Sequence, residues 1–266
     1  MADVVIVGGG IIGVSIAYYL SLEKIKVLVL EKEGVGRQAS SGAVGFMTVD
    51  PVPFKHESLL AAGLKSREML LELSKVFKEK YGVDIEVELC GSLRLAKTED
   101  DLASLEDDAR WEEKKVAPVE KLTPREIRRR WPAIEGETAG GFFYPADFQL
   151  TSSRLVEAFR QAAAAEGATF VEYKGVVSWQ AKGGKITGVV TGTMKKFSAG
   201  ESPLNPDPRT SPDGSPHVLA GPLATTGFMG DSPALNASIA ADKFVLAAGP
   251  WSGELARLLG FQVPVY

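Results

Sequence analysis

The sequence predicts an α/β fold, and three apolar runs predict it. Residues 3–7 (DVVIV) open the chain, three glycines and a helical stretch follow, and residues 26–30 (KVLVL) form the second run. The third is residues 242–248 (DKFVLAA), close to the end. Short, continuous, β-branched runs of this kind are buried on both faces, as the strands of a parallel sheet are. Strand, helix and strand within about thirty residues make a parallel βαβ crossover.

The intervening elements follow from local signals. Residues 11–23 read as the crossover helix. Residues 34–53, rich in Gly, Ser and Ala and ending in two prolines, read as a long loop. Residues 56–81 read as an amphipathic helix whose apolar stripe is Leu59, Leu60, Leu64, Leu70, Leu71, Leu73, Phe77 and Tyr81. Residues 85–97 read as two strands meeting near Gly91, with Cys90 expected in the core. Thr98 with Asp101, and Thr123 with Pro124 and Glu126, are helix-start signatures, and Pro132 stops the second helix. Residues 141–150 suggest a strand and a turn, and Thr151 or Ser152 caps a helix at 153–166. Residues 168–191 carry three strands, the last two joined at Gly183-Gly184, and Gly249-Pro250-Trp251-Ser252 turns into a short helix. Residues 197–238, with seven prolines and little periodicity, read as a flexible insertion.

Composition narrows the function classes. The net charge is -4, with both signs interspersed, which gives no basic footprint for nucleic acid. One cysteine and two distant histidines, His56 and His217, argue against a disulfide framework and a metal centre. His56 is expected to be a helix cap or a surface residue, and His217 has no assigned role. No apolar run reaches about 18 residues, so no membrane span is expected. No secretory leader pattern opens the chain, and a soluble, cytoplasmic protein is expected.

The motif that carries chemistry is Gly8-Gly9-Gly10-Ile11-Ile12-Gly13, which matches G-x-G-x-x-G. Gly8 permits the tight turn off the strand, Gly10 lets backbone approach a pyrophosphate, and Gly13 lets the helix pack against the sheet. The N–H groups of Ile11, Ile12 and Gly13 then point at the phosphates from the positive end of the helix. Glu31 ends the second strand, 18 residues past Gly13, where a carboxylate can accept from a ribose diol. Strand, glycine turn, helix and acidic residue together make a Rossmann-type dinucleotide unit. Glu31 repels a 2′-phosphate, so NADP is disfavoured, and the motif by itself leaves NAD and FAD open.

Residues 37–48 (RQASSGAVGFMT) and 245–253 (VLAAGPWSG), with residues 1–32, resemble the D-amino-acid oxidase family of FAD-dependent oxidoreductases. The chain is most similar to the branch of glycine oxidase, sarcosine oxidase and dimethylglycine dehydrogenase. GSLRLA at 91–96, the stretch from Tyr144 to Gly167 and the hairpin around Val176 extend the resemblance to nearly the whole chain outside the insertion.

The resemblance implies non-covalent FAD, since residues 37–48 hold neither His nor Cys. Gly8, Gly10 and Gly13 would surround the pyrophosphate, Glu31 would hold the adenosine ribose, and Lys32 would flank the adenine or stand as a solvated lysine. Arg37, Ser40, Ser41 and Gly42 would run beneath the pyrophosphate and ribityl chain, Arg37 neutralising phosphate or lying exposed. Met47 and Thr48 would approach the isoalloxazine ring, with Phe46 in ordinary core packing. Val176 would pair with the adenine through its backbone. Ala248 and Gly249 would make the second dinucleotide contact, and Trp251 would pack nearby or serve as a buried helix-start aromatic.

For activity, the resemblance implies oxidation of a C–N bond in an amino acid or secondary amine of the glycine, sarcosine or proline kind, by hydride transfer to flavin N5. It implies a discontinuous FAD-binding domain, 1–83 and 146–266, and a smaller α+β substrate lobe, 84–145. Family members usually continue past the equivalent of Pro264-Val265-Tyr266 with the group that clamps the substrate carboxylate. The lobe is therefore expected to be incomplete, and no catalytic residue is assigned. A non-catalytic FAD-binding subunit, 2-hydroxy-acid oxidation on the same fold, and an NAD-dependent dehydrogenase stay open, as do a partner subunit and a homo-oligomer.

Overall fold

A computed structural model of the chain describes residues 1–49, 56–193 and 237–263. In chain order its elements are β1 (Ala2–Val7), α1 (Ile11–Leu22), β2 (Val27–Leu30), α2 (Ala39–Gly42), β3 (Phe46–Met47), α3 (Glu57–Tyr81), β4 (Ser92–Ala96), α4 (Glu99–Lys115), β5 (Glu120–Leu122), α5 (Pro124–Arg130), β6 (Gly140–Tyr144), β7 (Phe148–Gln149), α6 (Ser152–Ala165), β8 (Thr169–Val171), β9 (Lys174–Lys182), β10 (Lys185–Thr193), β11 (Ser238–Leu246), a 3-10 turn (Gly249–Trp251) and α7 (Ser252–Arg257). The chain divides into two compact units, Met1–Val35 with Glu166–Tyr266, and Gly36–Ala165. Residues 36–83 and 146–165 fall in the second unit together with 84–145. Most of the insertion expected at 197–238, His217 included, lies outside the described residues, and Ser238 already belongs to β11.

The first unit is built on a six-stranded sheet of order β8-β2-β1-β11-β10-β9. Its parallel core runs from β8 to β11, with Val5 opposite Leu28 on one side and Phe244 on the other. β10 and β9 then add an antiparallel hairpin. The mostly parallel α/β expectation holds. The hairpin turns at Gly183 and Gly184, whose φ of 58° and 75° are the pair of left-handed residues that a two-residue turn of matching twist requires. Val5, Val7, Leu30, Val189 and Ala241 are buried at the centre, with Trp179, Phe244 and Leu255 packed against them. Burying each Val or Leu is worth about 1.5–3 kcal/mol. Trp179 Nε1 donates to the Leu255 carbonyl at 2.9 Å, tying α7 to β9.

The second unit holds a three-stranded antiparallel sheet, β4-β6-β5, and a two-stranded one, β3-β7. Ala109, Phe142 and Tyr144 form a buried cluster with Leu102, Leu105 and Val119. Burial pushes the Tyr144 phenol up to about 12. Both expected capping boxes are present, Thr98 with Asp101 and Thr123 with Glu126. The hydrogen bonds of those boxes hold both acidic side chains below their ordinary range.

The expected amphipathic helix is present as α3; of its apolar stripe Leu60 and Phe77 are buried, and Leu59 is 49% exposed. α3 is about 37 Å long and α6, whose Phe159 meets Phe77 edge-on at 4.9 Å, only about 21 Å, so α6 cannot cover the whole stripe. Residues 85–91 are no strand, having only the isolated bridge of Glu88 to Gln149, because the chain leaves the ladder at Gly91, φ 67°. Cys90, beside that turn, is exposed rather than in the core. Phe46 is 54% exposed, since β3 has strand β7 on one side and no second strand among the described residues. The loop of residues 34–53 also carries α2 and β3. Among the described residues, no helix is long and apolar enough to cross a membrane.

Candidate cofactor site

In the first unit, backbone sterics build the glycine turn. The Gly8 N–H donates to the Leu30 carbonyl at 2.8 Å, and the Ala247 N–H to the Val7 carbonyl at 2.8 Å, so the end of β1 is gripped from both sides. A Cβ on Gly8, φ 111°, would lie 2.7 Å from Ala247 C and 2.8 Å from Ala248 Cα. A Cβ on Gly13 would strike the Gly8 carbonyl, lying 3.0 Å from its carbon. Gly8 and Gly13 are thus required where backbone meets backbone. α1 begins without a side-chain cap at Gly10 and without an acidic residue in its first turn. The first turn of α1 thus carries no acidic side chain of its own, and the positive end of the helix suits a phosphate. Ile12, in that turn, is 61% exposed, while Gly13 behind it is buried.

Glu31 is 9% exposed. Its Oε2 accepts the Gly9 N–H at 2.7 Å and its Oε1 the Glu33 N–H at 2.9 Å. The carboxylate therefore staples the glycine turn to the end of β2. A carboxylate offers about four lone-pair directions, so two remain to accept the hydroxyls of a ribose. The chain then wraps this corner. Lys174 N–H donates to the Glu31 carbonyl, Tyr173 N–H to the Glu33 carbonyl, both at 2.9 Å, and Val35 N–H to Glu172 Oε1 at 2.7 Å. Val176 follows two residues on, half-buried on β9 and opposite Thr191. Lys32 Nζ lies 3.4 Å from the centre of the Trp251 ring, so two candidate residues stack on one another, and Trp251 is half-buried. Ala248 is half-buried behind Gly8, and Gly249 is exposed with open space about its Cα.

The structure thus brings Gly8, Gly13, Glu31 and Ala248 to one end of the parallel strands, the place where open α/β sheets bind ligands. Lys32 with Trp251, and Val176, border the same corner. Gly10, Ile11 and Ile12 form the first turn of α1. These residues fit a dinucleotide such as FAD. The residues that sequence reasoning missed here are Gly9, Glu172, Tyr173, Lys174 and Ala247. All but Glu172 act here through backbone atoms, which leave little trace in residue type.

Arg37, Ser40, Ser41, Gly42, Met47 and Thr48 belong to the second unit. Arg37, Ser41 and Gly42 are exposed, and Ser40, Met47 and Thr48 are half-buried. The Ser41 N–H donates to the Gly36 carbonyl at 3.2 Å, curling residues 36–42 into a compact turn. Gly36 makes room for Val156, whose Cγ1 lies 2.6 Å from where a Cβ would stand. Met47 pairs with Phe148 across the β3-β7 ladder.

Comparison with known proteins agrees with this geometry. The family model described as FAD dependent oxidoreductase (DAO) matches residues 3–266. The glycine oxidase of Geobacillus kaustophilus is 28% identical over 99% of this chain and 59% of its own length. The 4-methylaminobutanoate oxidase (formaldehyde-forming) of Paenarthrobacter nicotinovorans is 27% identical over 98% of this chain and 26% of its own. The crystal structure of glycine oxidase from Bacillus cereus superposes with a TM-score of 0.73 at 27% identity, covering 97% of this chain and 58% of that one. The chain therefore spans somewhat under two thirds of the length of the glycine oxidases it matches.

Proposed function

Because the chain belongs to the FAD dependent oxidoreductase family, we propose that it works in the oxidation of an amino acid or secondary amine of the glycine, sarcosine or proline kind. The observation that carries this reading is the end of the parallel sheet. There a glycine turn backed by Ala247–Ala248 and stapled by Glu31 suits a dinucleotide. The names of the relatives, two glycine oxidases and a methylaminobutanoate oxidase, support the substrate class. FAD held there, without a covalent link, would supply the acceptor for a hydride from the carbon beside nitrogen. The residues of this chain would bind and orient it. Glu31 would hold the ribose, the first turn of α1 the pyrophosphate, Lys32 and Trp251 the border of the adenine, and Val176 its edge through the backbone. Arg37, Ser40, Ser41 and Gly42 would serve the phosphate and ribityl portion, and Met47 and Thr48 the ring. A cytoplasmic place of work belongs to the same reading, supported by a single cysteine in 266 residues.

The test is an absorbance spectrum of the purified chain before and after acid precipitation, followed by anaerobic mixing with glycine, sarcosine and L-proline. The expected result is flavin bands near about 370 and 450 nm, released on precipitation and bleached by at least one amine. A flavin that binds and is bleached by none of them favours a flavin-holding subunit whose chemistry needs another chain. A colourless chain that takes up no added FAD refutes the proposal.

A further inference from the structure

Outside the residues assigned to the cofactor, the second unit buries a carboxylate at the turn from Tyr144 to Asp147. Asp147 is 1% exposed. Its Oδ2 accepts the Ser92 hydroxyl at 2.7 Å, its carbonyl accepts the Gly91 N–H at 3.0 Å, and its own N–H donates to the Tyr144 carbonyl at 3.2 Å. Arg67, from α3, donates to the Ala146 carbonyl in the same turn and sets Nη1 4.0 Å from Asp147 Oδ1. One side chain thereby joins three separate stretches: α3, the start of β4, and the turn itself. A buried carboxylate is costly unless charge and hydrogen bonds compensate it, and here the Ser92 hydroxyl serves Oδ2 while the Arg67 charge stands near Oδ1.

The next residue begins β7. Phe148 pairs with Met47, Gln149 with Phe46, and the Leu150 N–H donates to the Gly45 carbonyl at 3.0 Å. β3 is two residues long, and β7 is its one strand partner among the described residues. A ladder so short cannot set its own register, because a slip of one residue would cost few bonds and would turn Met47 to the opposite face. The register has to come from whatever fixes β7.

We infer that Asp147 is a positioning residue for the candidate flavin-facing strand: its clamp with Arg67 and Ser92 fixes β7, and β7 fixes the register of Met47 and the course of Thr48. The flavin part of this inference rests on the proposed function, whereas the clamp is read from the fold. The test compares the full chain with Asp147→Ala, Asp147→Asn and Ser92→Ala, and with Ile127→Val as a control elsewhere in the unit. Asn keeps an acceptor for Ser92 and loses the charge toward Arg67. Amide hydrogen exchange, read without added cofactor, is expected to accelerate about tenfold or more in peptides 43–49 and 148–151 of Asp147→Ala. The Asn and Ser92→Ala variants should show less, and the control no change in those peptides. With FAD added, the visible absorption and circular dichroism of the flavin should shift in Asp147→Ala, recover in part in Asp147→Asn, and stay put in Ile127→Val. Unchanged exchange in 43–49 overturns the clamp. Faster exchange with an unshifted flavin spectrum overturns the positioning role and leaves a purely structural one. A wild-type chain that takes up no FAD sinks the proposed function, while the exchange data still decide whether Asp147 holds β3.

Discussion

A side chain on Gly8 would meet the backbone of Ala247 and Ala248, and one on Gly13 the carbonyl of Gly8. In residues 36–45 the glycines answer to other neighbours. Gly36 yields to the Val156 side chain, Gly45 to the carbonyl of Leu150, and Gly42 has nothing within reach of a Cβ. Both stretches look alike in composition. The difference is that the first turn is backbone against backbone at Gly8 and Gly13, whereas the second mixes compulsory positions with a free one. Backbone collisions have no cheap relaxation, while a side-chain methyl can yield by a smaller local shift. The two stretches should therefore respond differently to the same substitution.

The largest effect should come from Gly13→Ala, which must displace the Gly8 carbonyl or tilt α1. FAD affinity, followed by quenching of flavin fluorescence, should fall at least about a hundredfold. An unchanged affinity would break the comparison at its strongest point. Next comes Gly45→Ala, which adds a backbone collision to a φ of 85°. Urea denaturation should show a loss of about 2–4 kcal/mol. A loss below about 0.5 kcal/mol would mean that Leu150 gives way readily and that the second stretch holds no compulsory backbone contact. Third is Glu31→Gln, which keeps the shape of the staple, removes its charge and faces an N–H donor with an amide. Weaker hydrogen bonds to Gly9 and Glu33 should lower FAD affinity roughly tenfold, measured by calorimetric titration. Equal affinity would show that the glycine turn holds itself. The smallest effect is expected of Gly42→Ala at the end of α2. The melting midpoint should stay within a stability change of about 0.5 kcal/mol, on the stabilising side, because alanine suits a helix better than glycine. A large destabilisation would place a neighbour where the structure has open space.

Local chemistry was legible wherever one residue type answers one local need. The buried strands β1, β2 and β11, the two capping boxes and the Gly183-Gly184 turn all stand where pattern and propensity put them. So do the glycine turn and Glu31, because a pyrophosphate-sized approach leaves a spacing that few other structures share. The missed contributors at the same corner, Tyr173, Lys174 and Ala247, act through backbone N–H and C=O groups that every residue carries. Periodicity likewise named the apolar stripe of α3 but not how much of it a partner would cover, which depended on the shorter α6.

By itself, then, the sequence determined that a βαβ unit with a nucleotide-type turn opens the chain, that an acidic residue stands at the end of its second strand, and that two helices begin at Thr98 and Thr123. Each is settled by neighbours a few residues away, or by a spacing that sterics enforce. Only the tertiary structure decided that Glu31 staples Gly9 and Glu33, that Lys32 lies on Trp251, that Cys90 and Phe46 are exposed, and that Asp147 is buried under Arg67 and Ser92. Apart from the local bond of Glu31 to Glu33, the partners in those cases are brought together by packing across long stretches of chain. The free energy of such a contact depends on burial and on which donor arrives, and neither is written in the local order of residues.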